Sequence, residues 1–138
     1  MERVSDIEKA IGAHVHWMSW LRQSVLAILE SIGTKNRFDI AKIRSCESCD
    51  LGKWLEGAQW MLQDSHNHSY RKVRRLHAEF HEASARVIEL ALSGNIMQAY
   101  TLLYGDFLAI SGRLVLALRA WQTELLTQIW WQQNADDQ

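Results

Sequence analysis

The sequence contains no proline in 138 residues, and this absence constrains the fold more than any other feature. Proline interrupts helices, so a chain without it can form long ones. Apolar residues recur every three or four positions through most of the chain, which is the spacing of one helix face. Only seven glycines are present to end helices. The pattern therefore predicts an all-α fold, an up-down four-helix bundle with a shorter second helix.

The first predicted helix begins at a capping box, residues 5–8, and ends at Gly33. His14 falls in phase with the apolar residues of this helix, so its imidazole should face the core instead of water. The complete predicted stripe is Ile7, Ile11, His14, Met18, Leu21, Val25, Ile28 and Ile32.

A long polar and basic connection, residues 33–48, follows and has room for a short turn around 38–43. The second helix should begin near residues 48–50, which places Cys49 in its first turn, and should break at 64–69. Its predicted inward side chains are Leu51, Trp54, Leu55 and Met61.

The third helix is predicted from about Ser69 to Ser93, and it carries His77 and His81 one turn apart on the same face. Its other inward residues should be Val73, Phe80, Val87, Ile88 and Ala91. Gly94 can adopt the left-handed backbone conformation that ends a helix, and a fourth helix is predicted to follow it. The predicted inner stripe of that helix is Met97, Tyr100, Tyr104, Phe107, Ser111, Leu114, Leu118, Trp121 and Leu125.

Charge and hydropathy exclude several classes of protein. The formal net charge is −1 and no helix face carries a basic stripe, so nucleic acid is not an expected partner. Residues 1–6 lack the pattern of a signal peptide, and no apolar run approaches the roughly 20 residues of a membrane span. The length suits one ordinary domain. We therefore expect a single cytoplasmic domain over residues 1–138, with no membrane partner.

The histidines and one cysteine suggest a metal site. Imidazoles four residues apart on a helix can bind one ion together, as His77 and His81 would. His14 on the buried stripe and Cys49 at a helix start, where the thiolate is favoured, complete a set of three nitrogens and one sulfur. Such a set suits tetrahedral Zn²⁺. The predicted metal ligands are His14, Cys49, His77 and His81.

These motifs resemble the chemoreceptor zinc-binding domain, a family found in bacterial chemotaxis receptors and diguanylate cyclases. The resemblance lies in Cys49-Asp50-Leu51-Gly52-Lys53-Trp54-Leu55, in Ala13-His14-Val15-His16-Trp17 and in His77-Ala78-Glu79-Phe80-His81. It covers about residues 5–126 and implies a bundle that binds zinc tightly, usually as a homodimer. It also implies a sensor of zinc, or of oxidants through the metal-bound cysteine, that controls cyclic-di-GMP synthesis or chemotaxis. The chain contains no output domain of its own, so that domain would be elsewhere.

Four protein ligands leave no open position for substrate, so no enzymatic activity is expected. His77-Ala78-Glu79-Phe80-His81 also differs from the zinc-protease motif, because its acid is at the third position. Two alternatives are a purely structural or dimerisation bundle and a hemerythrin-like di-iron protein, whose paired Glu-x-x-His motifs do not occur here. His16, His66 and His68 should be solvated, whereas Cys46 is a possible substitute ligand or disulfide partner of Cys49.

Overall fold

The structure is a computed structural model that describes residues 2–30, 38–47, 49–57 and 67–135. Within these ranges it contains helices and no strand, so the all-α prediction is confirmed. The elements are α1 (Glu2–Glu30), α2 (Ile40–Arg44), α3 (Asp50–Leu55), α4 (His68–Leu92), α5 (Ile96–Leu102) and α6 (Leu108–Asn134). A π-helical turn, Leu103–Phe107, joins α5 to α6, and we call the continuous span 96–134 the C-terminal helix.

The core lies between the three long helical spans. Helix α4 packs against both α1 and α6, and α1 packs against α6, while the short helices α2 and α3 lie on α4. The largest fully buried side chains come from all three long spans and include Leu21, Phe80 and Trp121. The up-down order of four bundle helices stays a prediction, because the second of them is described only over the six residues of α3.

Helix α1 begins at Glu2, so the prediction that residues 5–8 cap it is wrong. Nothing in the preceding residues disfavours a helix, and Val4 packs against the core, so the helix continues through Ser5. The predicted stripe is largely confirmed, with buried side chains at Ile7, Ile11, His14, Leu21 and Val25. The predicted end at Gly33 and the position of Ile32 lie outside the described residues.

The connection after α1 contains the predicted short turn as α2. Asp39 caps it, since its carboxylate accepts a hydrogen bond from the Lys42 N–H at 3.1 Å. In α3, Leu51 and Leu55 are buried as predicted and Trp54 is half-buried. Met61 lies outside the described residues. The predicted break at 64–69 is described only from residue 67, and α4 begins at His68.

Gly94 ends α4 as predicted, with a φ of 87° that a glycine adopts without strain. The predicted stripe of the next helix is wrong at its start, because Met97 and Tyr104 are 78% and 50% exposed. In a π turn each backbone hydrogen bond spans five residues instead of four. The turn therefore shifts the positions of the buried residues along the helix by about one residue. The buried positions here are Ala99, Leu103, Phe107, Ser111, Leu114, Ala117, Leu118, Trp121 and Leu125.

The C-terminal helix also corrects the expectation about apolar runs. By length and composition it could cross a membrane, since an 18-residue window has a mean hydropathy of 1.5 and only 33% of that window is buried. The core helix of a soluble protein passes the same test. The expectation that no apolar segment is long enough to approach a membrane span is therefore wrong for this helix.

Candidate metal centre

Three helices bring the four predicted ligands to one point. His14 comes from α1, Cys49 immediately precedes α3, and His77 and His81 come from one face of α4. One potential ligand atom from each of the four side chains lies within 4.8 Å of the others. The three histidines are 1–4% exposed and Cys49 is half-buried. The convergence that the sequence predicted is present, and it gathers four donors of the types that bind Zn²⁺.

Two imidazoles are oriented by backbone carbonyls. His14 Nδ1 lies 2.8 Å from the Ala10 carbonyl oxygen, and His81 Nδ1 lies 2.8 Å from the Ile43 carbonyl oxygen. A carbonyl can only accept, so each Nδ1 carries the proton and each Nε2 presents a lone pair. This arrangement of the outer ring nitrogen is typical of metal-bound histidines.

The inner distances fit a shared cation. His77 Nε2 lies 3.1 Å from Cys49 Sγ and 3.1 Å from His81 Nε2. Ligand bonds of about 2.05 Å to tetrahedral zinc would separate two nitrogens by about 3.3 Å. An ion between these groups would accept the lone pairs of the sulfur and of the nitrogens together. The donor set therefore fits a metal.

Burial keeps the imidazoles neutral, which is the form that binds metal. It lowers the pKa of His14 and of His81, and backbone hydrogen bonds oppose this only in part. Burial and then the neighbouring imidazoles of His81 and His14 lower the pKa of His77 to about 3. No imidazole proton therefore has to be displaced at neutral pH before a cation can bind.

Cys49 differs from the histidines. As the N-cap of α3 it accepts a hydrogen bond from the Gly52 N–H, with a nitrogen–sulfur distance of 3.4 Å. Burial nevertheless raises the pKa of the thiol by more than the N–H groups of Gly52 and Leu51 lower it. The prediction that the helix start by itself favours the thiolate is therefore wrong. The charge of a bound cation would be needed to displace this proton.

Gly52 permits the turn that carries Cys49. A Cβ at this position would lie 1.7 Å from the Cys46 carbonyl oxygen and 2.8 Å from its carbon. These are backbone atoms that cannot rotate away, so only a hydrogen fits there. The Cys46 carbonyl in turn lies 3.7 Å from Cys49 Sγ, so the chain before α3 folds closely around the thiol.

Aromatic rings enclose the cluster on one side. Phe80 lies against His14, with ring centroids 5.0 Å apart, and Trp17 lies against His81 at 5.1 Å. Trp17 is held by a 3.0 Å hydrogen bond from Nε1 to Ser84 Oγ. Low surrounding polarity of this kind limits water access and strengthens the interaction between a cation and its ligands.

Two clefts reach the centre from the surface. One of about 560 Å³ is bordered by Lys9, His14 and Cys49, and one of about 430 Å³ by Lys42, Cys49 and His81. Trp17 lies between them and lines both. Because Cys49 is half-buried and the three histidines are 1–4% exposed, small solutes can approach Cys49 more easily than the imidazoles.

The other candidate ligands lie elsewhere. His16 and His68 are exposed, as predicted, and His66 is outside the described residues. Cys46 is half-buried and does not belong to the four-residue cluster. Sequence analysis did not identify the carbonyls of Ala10 and Ile43 as partners of the imidazoles. The carbonyl of Ala10 could have been found from its position one turn before His14, whereas Ile43 is 38 residues from His81 and gives no local signal.

Comparison with known proteins agrees with this geometry. A family model described as "Chemoreceptor zinc-binding domain" matches residues 14–88, which is more than half of the chain and includes all four clustered side chains. The chain belongs to the chemoreceptor zinc-binding domain family. No curated protein and no solved structure gave a match. The match is narrower than the residues 5–126 expected from the motifs, and it excludes the C-terminal helix.

Membership in the chemoreceptor zinc-binding domain family, together with the cluster, confirms Zn²⁺ as the expected cofactor. The family is a zinc-binding domain by description, and this chain retains a site able to hold a metal ion. That the four clustered residues are the zinc ligands stays a prediction. The arrangement can hold one ion at the meeting point of α1, α3 and α4.

Proposed function

We propose that this protein is a zinc-binding sensory module in which His14, Cys49, His77 and His81 hold one Zn²⁺. The observation that carries this proposal is the convergence of three imidazole nitrogens and one thiol, within 4.8 Å of one another, from three separate helices. The N₃S donor set and the backbone-anchored Nδ1 atoms of two histidines support zinc in particular.

The site is suited to holding a metal and not to catalysis. Four protein ligands complete a tetrahedral shell, which leaves no position for a reacting water or substrate. Family membership supports a regulatory role. We therefore propose that the chain is not an enzyme and that it acts by changing conformation in response to its metal.

The conformational effect would arise from the position of α3. This helix has only six residues. It is held to α4 by a 2.7 Å hydrogen bond from the Tyr70 hydroxyl to the Leu55 carbonyl and, just after its end, by an ion pair of Glu56 with Arg74 at 2.9 Å. Structural zinc sites provide roughly 10 to 16 kcal/mol of apparent binding energy, which is ample to move a short helix between two packings. Gain or loss of the Cys49 bond would thus attach α3 to the bundle or release it.

The signal would pass to a signalling output. By analogy with the family, that output is a diguanylate cyclase or a chemotaxis receptor, and the input is zinc or an oxidant that reacts with the metal-bound cysteine. We place the module in the cytoplasm, where thiols remain reduced. The near-neutral charge supports a protein partner over nucleic acid.

We also propose that the protein is a homodimer and that its interface is the outer face of α6. Four large apolar side chains are 43–71% exposed there: Leu108, Leu116, Leu126 and Trp130. At about 100° per residue they fall within an arc of about 80° on the helix. Exposed apolar side chains on one face of a helix favour association, and closed symmetry would bury this face against a second copy.

Elemental analysis of protein purified without added metal tests the zinc function. We expect about one zinc per chain in the wild type and in His16→Gln, which removes an exposed imidazole two residues from His14. Zinc content should fall strongly in Cys49→Ala and His77→Ala, because each loses one of four ligands. Unchanged zinc in both variants would reject the site, and two irons per chain would indicate a di-iron protein instead.

Hydrogen exchange tests the sensory part. Amides of α3 should exchange more slowly in the zinc-bound protein than after chelation, whereas amides at the centre of α4 should change less. Equal exchange of α3 in the two states would reject the release of this helix as the signal.

A further inference from the structure

The second cysteine of the chain is left without a role by the zinc site. Cys46 is three residues before Cys49, is half-buried and is not among the clustered donors. It lines a separate cleft of about 230 Å³ together with Arg74 and His77. Cys46 therefore shares with His77 a cleft other than the two larger clefts that Cys49 borders.

The backbone brings the two cysteines together. The Cys46 carbonyl oxygen lies 3.7 Å from Cys49 Sγ, and a Cα atom is about 2.4 Å from its own carbonyl oxygen. The Cys46 Cα is thus within about 6 Å of the Cys49 sulfur. Cys46 and Cys49 also have the Cys-x-x-Cys spacing of thiol–disulfide redox motifs, in which the two sulfurs form a disulfide. Once the Cys49 sulfur leaves the metal, rotation of the two side chains and a small movement of the turn can bring the sulfurs into contact.

We propose that Cys46 is the resolving thiol for Cys49, and that a hydroperoxide converts the pair to a reversible disulfide that takes the sulfur ligand from the zinc site. This inference rests on the proposed zinc-binding function. It adds a named chemical step and a named second residue to the response of that site.

The first step oxidises Cys49. Its thiolate attacks the outer oxygen of the hydroperoxide, the O–O bond breaks, and the alkoxide leaves and takes up a proton. Cys49 becomes a sulfenic acid. Cys49 is the sulfur that a bound cation would hold as the nucleophilic thiolate, and it borders both larger clefts.

The second step forms the disulfide. The Cys46 sulfur attacks the sulfenic sulfur, the S–O bond breaks, and the hydroxide leaves with the Cys46 proton as water. In total, two thiols are oxidised by two electrons, and the hydroperoxide is reduced to an alcohol and water. The proximity of Cys46 matters, because a sulfenic acid without a thiol partner can proceed to the irreversible sulfinic acid.

Peptide mass measured alongside zinc release tests the inference. Trypsin cleaves after Arg44 and Lys53, so residues 45–53 form one peptide that contains both cysteines. We would treat zinc-loaded protein with tert-butyl hydroperoxide, follow released zinc with a chromogenic chelator, and analyse the peptide without reduction.

In the wild type, the peptide should become about 2 Da lighter as zinc is released, and dithiothreitol with added zinc should restore both. Cys46→Ser should bind zinc like the wild type before oxidation. After oxidation its peptide should gain about 16 and then 32 Da, and its zinc binding should not recover. A wild-type peptide that gains oxygen in the same way, or that forms only cross-links between chains, would overturn the proposal.

A measurement on reduced protein separates this inference from the function on which it rests. If the reduced wild type and Cys49→Ala contain equal zinc, the proposed zinc site is wrong, and so is the claim that the disulfide removes a ligand. If zinc depends on Cys49 but oxidation yields no disulfide within the peptide, the zinc site stands and the resolving role of Cys46 is rejected.

Discussion

The region matched by the family and the C-terminal helix differ in what they bury. Residues 14–88 contain three buried histidines and the half-buried Cys49. In the C-terminal helix, the buried polar side chain of the described residues is Ser111. That helix instead carries most of the large exposed apolar side chains, namely Met97, Tyr104, Leu108, Leu116, Leu126, Trp130 and Trp131.

This contrast indicates that the two regions have different roles. Burying an imidazole costs free energy unless its nitrogens find partners, so three buried histidines at one point indicate a ligand. An exposed apolar face instead indicates association with another surface. If the two regions have separate roles, changes in one should leave the role of the other intact, and the following experiments test that separation.

Removal of zinc should have the largest effect. A ligand present at about 1,000 times its dissociation constant stabilises a folded protein by about 4 kcal/mol, which corresponds to roughly 10 °C or more for a domain of this size. We therefore expect a chelator to lower the melting temperature of the wild type by about that amount, measured by scanning calorimetry. His14→Gln should show a much smaller shift, and a chelator effect equal to that of the wild type would show that His14 is not a ligand.

A methyl group at position 52 should damage the metal region without touching a ligand. Gly52→Ala would place its Cβ against the Cys46 carbonyl, so we expect a loss of about 2 kcal/mol or more in the free energy of unfolding and weaker zinc binding. Gly12→Ala is the matched control, because nothing lies within 4 Å of a Cβ at that exposed position in α1. It should be neutral or stabilise by up to about 1 kcal/mol. Equal stability of the two variants in urea unfolding would contradict the close packing at Gly52.

Acid should destabilise the metal-free protein through its imidazoles. Burial lowers the pKa of His77 from 6.5 to about 3, so the unfolded chain binds this proton more readily than the folded chain. The associated stability is present above pH 6.5 and is lost as the pH falls towards 3, by up to about 1.4 kcal/mol per pH unit. Urea unfolding at pH 7 and pH 5 should show this loss in the wild type and in His16→Gln, and a smaller loss in His77→Gln. The same pH dependence in all three would exclude His77 as its source.

A charge on the outer face of α6 should have the smallest effect on stability and should act on association alone. Leu116 is 71% exposed, so Leu116→Lys should change the free energy of unfolding of a subunit by only about 0.5 kcal/mol. Sedimentation should show a shift from dimer to monomer, with zinc content unchanged. Gln23→Lys, on the exposed side of α1, should leave the dimer intact. A dimer that persists in Leu116→Lys would place the interface elsewhere.

The ligand region was easier to predict from sequence than the C-terminal helix. A histidine in phase with apolar residues, such as His14, indicates both that the position faces the core and that a metal-binding nitrogen is present there. The convergence of the four side chains could therefore be predicted. Apolar periodicity alone predicted most of the buried residues of the C-terminal helix from Phe107 onward. It failed before that point, because the π turn at 103–107 shifts the phase and exposes Met97 and Tyr104. A single extra residue in a helical turn has no signature in composition or spacing.

The side chains that cap the two short helices were not predicted as caps. Asp39 caps α2 and Cys49 caps α3 instead of lying in its first turn, and the capping box predicted at residues 5–8 lies inside α1. Packing of the early residues against the bundle outweighs a local preference worth about 1 kcal/mol. The contact between His81 and Ile43 could not be predicted, since it joins residues 38 positions apart.

That contact would couple a bound metal to a helix that supplies none of the clustered side chains. The Ile43 carbonyl belongs to the last turn of α2, where backbone oxygens have no partner within the helix, and it lies 2.8 Å from His81 Nδ1. A cation on Nε2 would withdraw electron density from the ring and make the opposite N–H a stronger donor. Loading the site would therefore strengthen the attachment of α2 to α4, although α2 itself would not contact the ion.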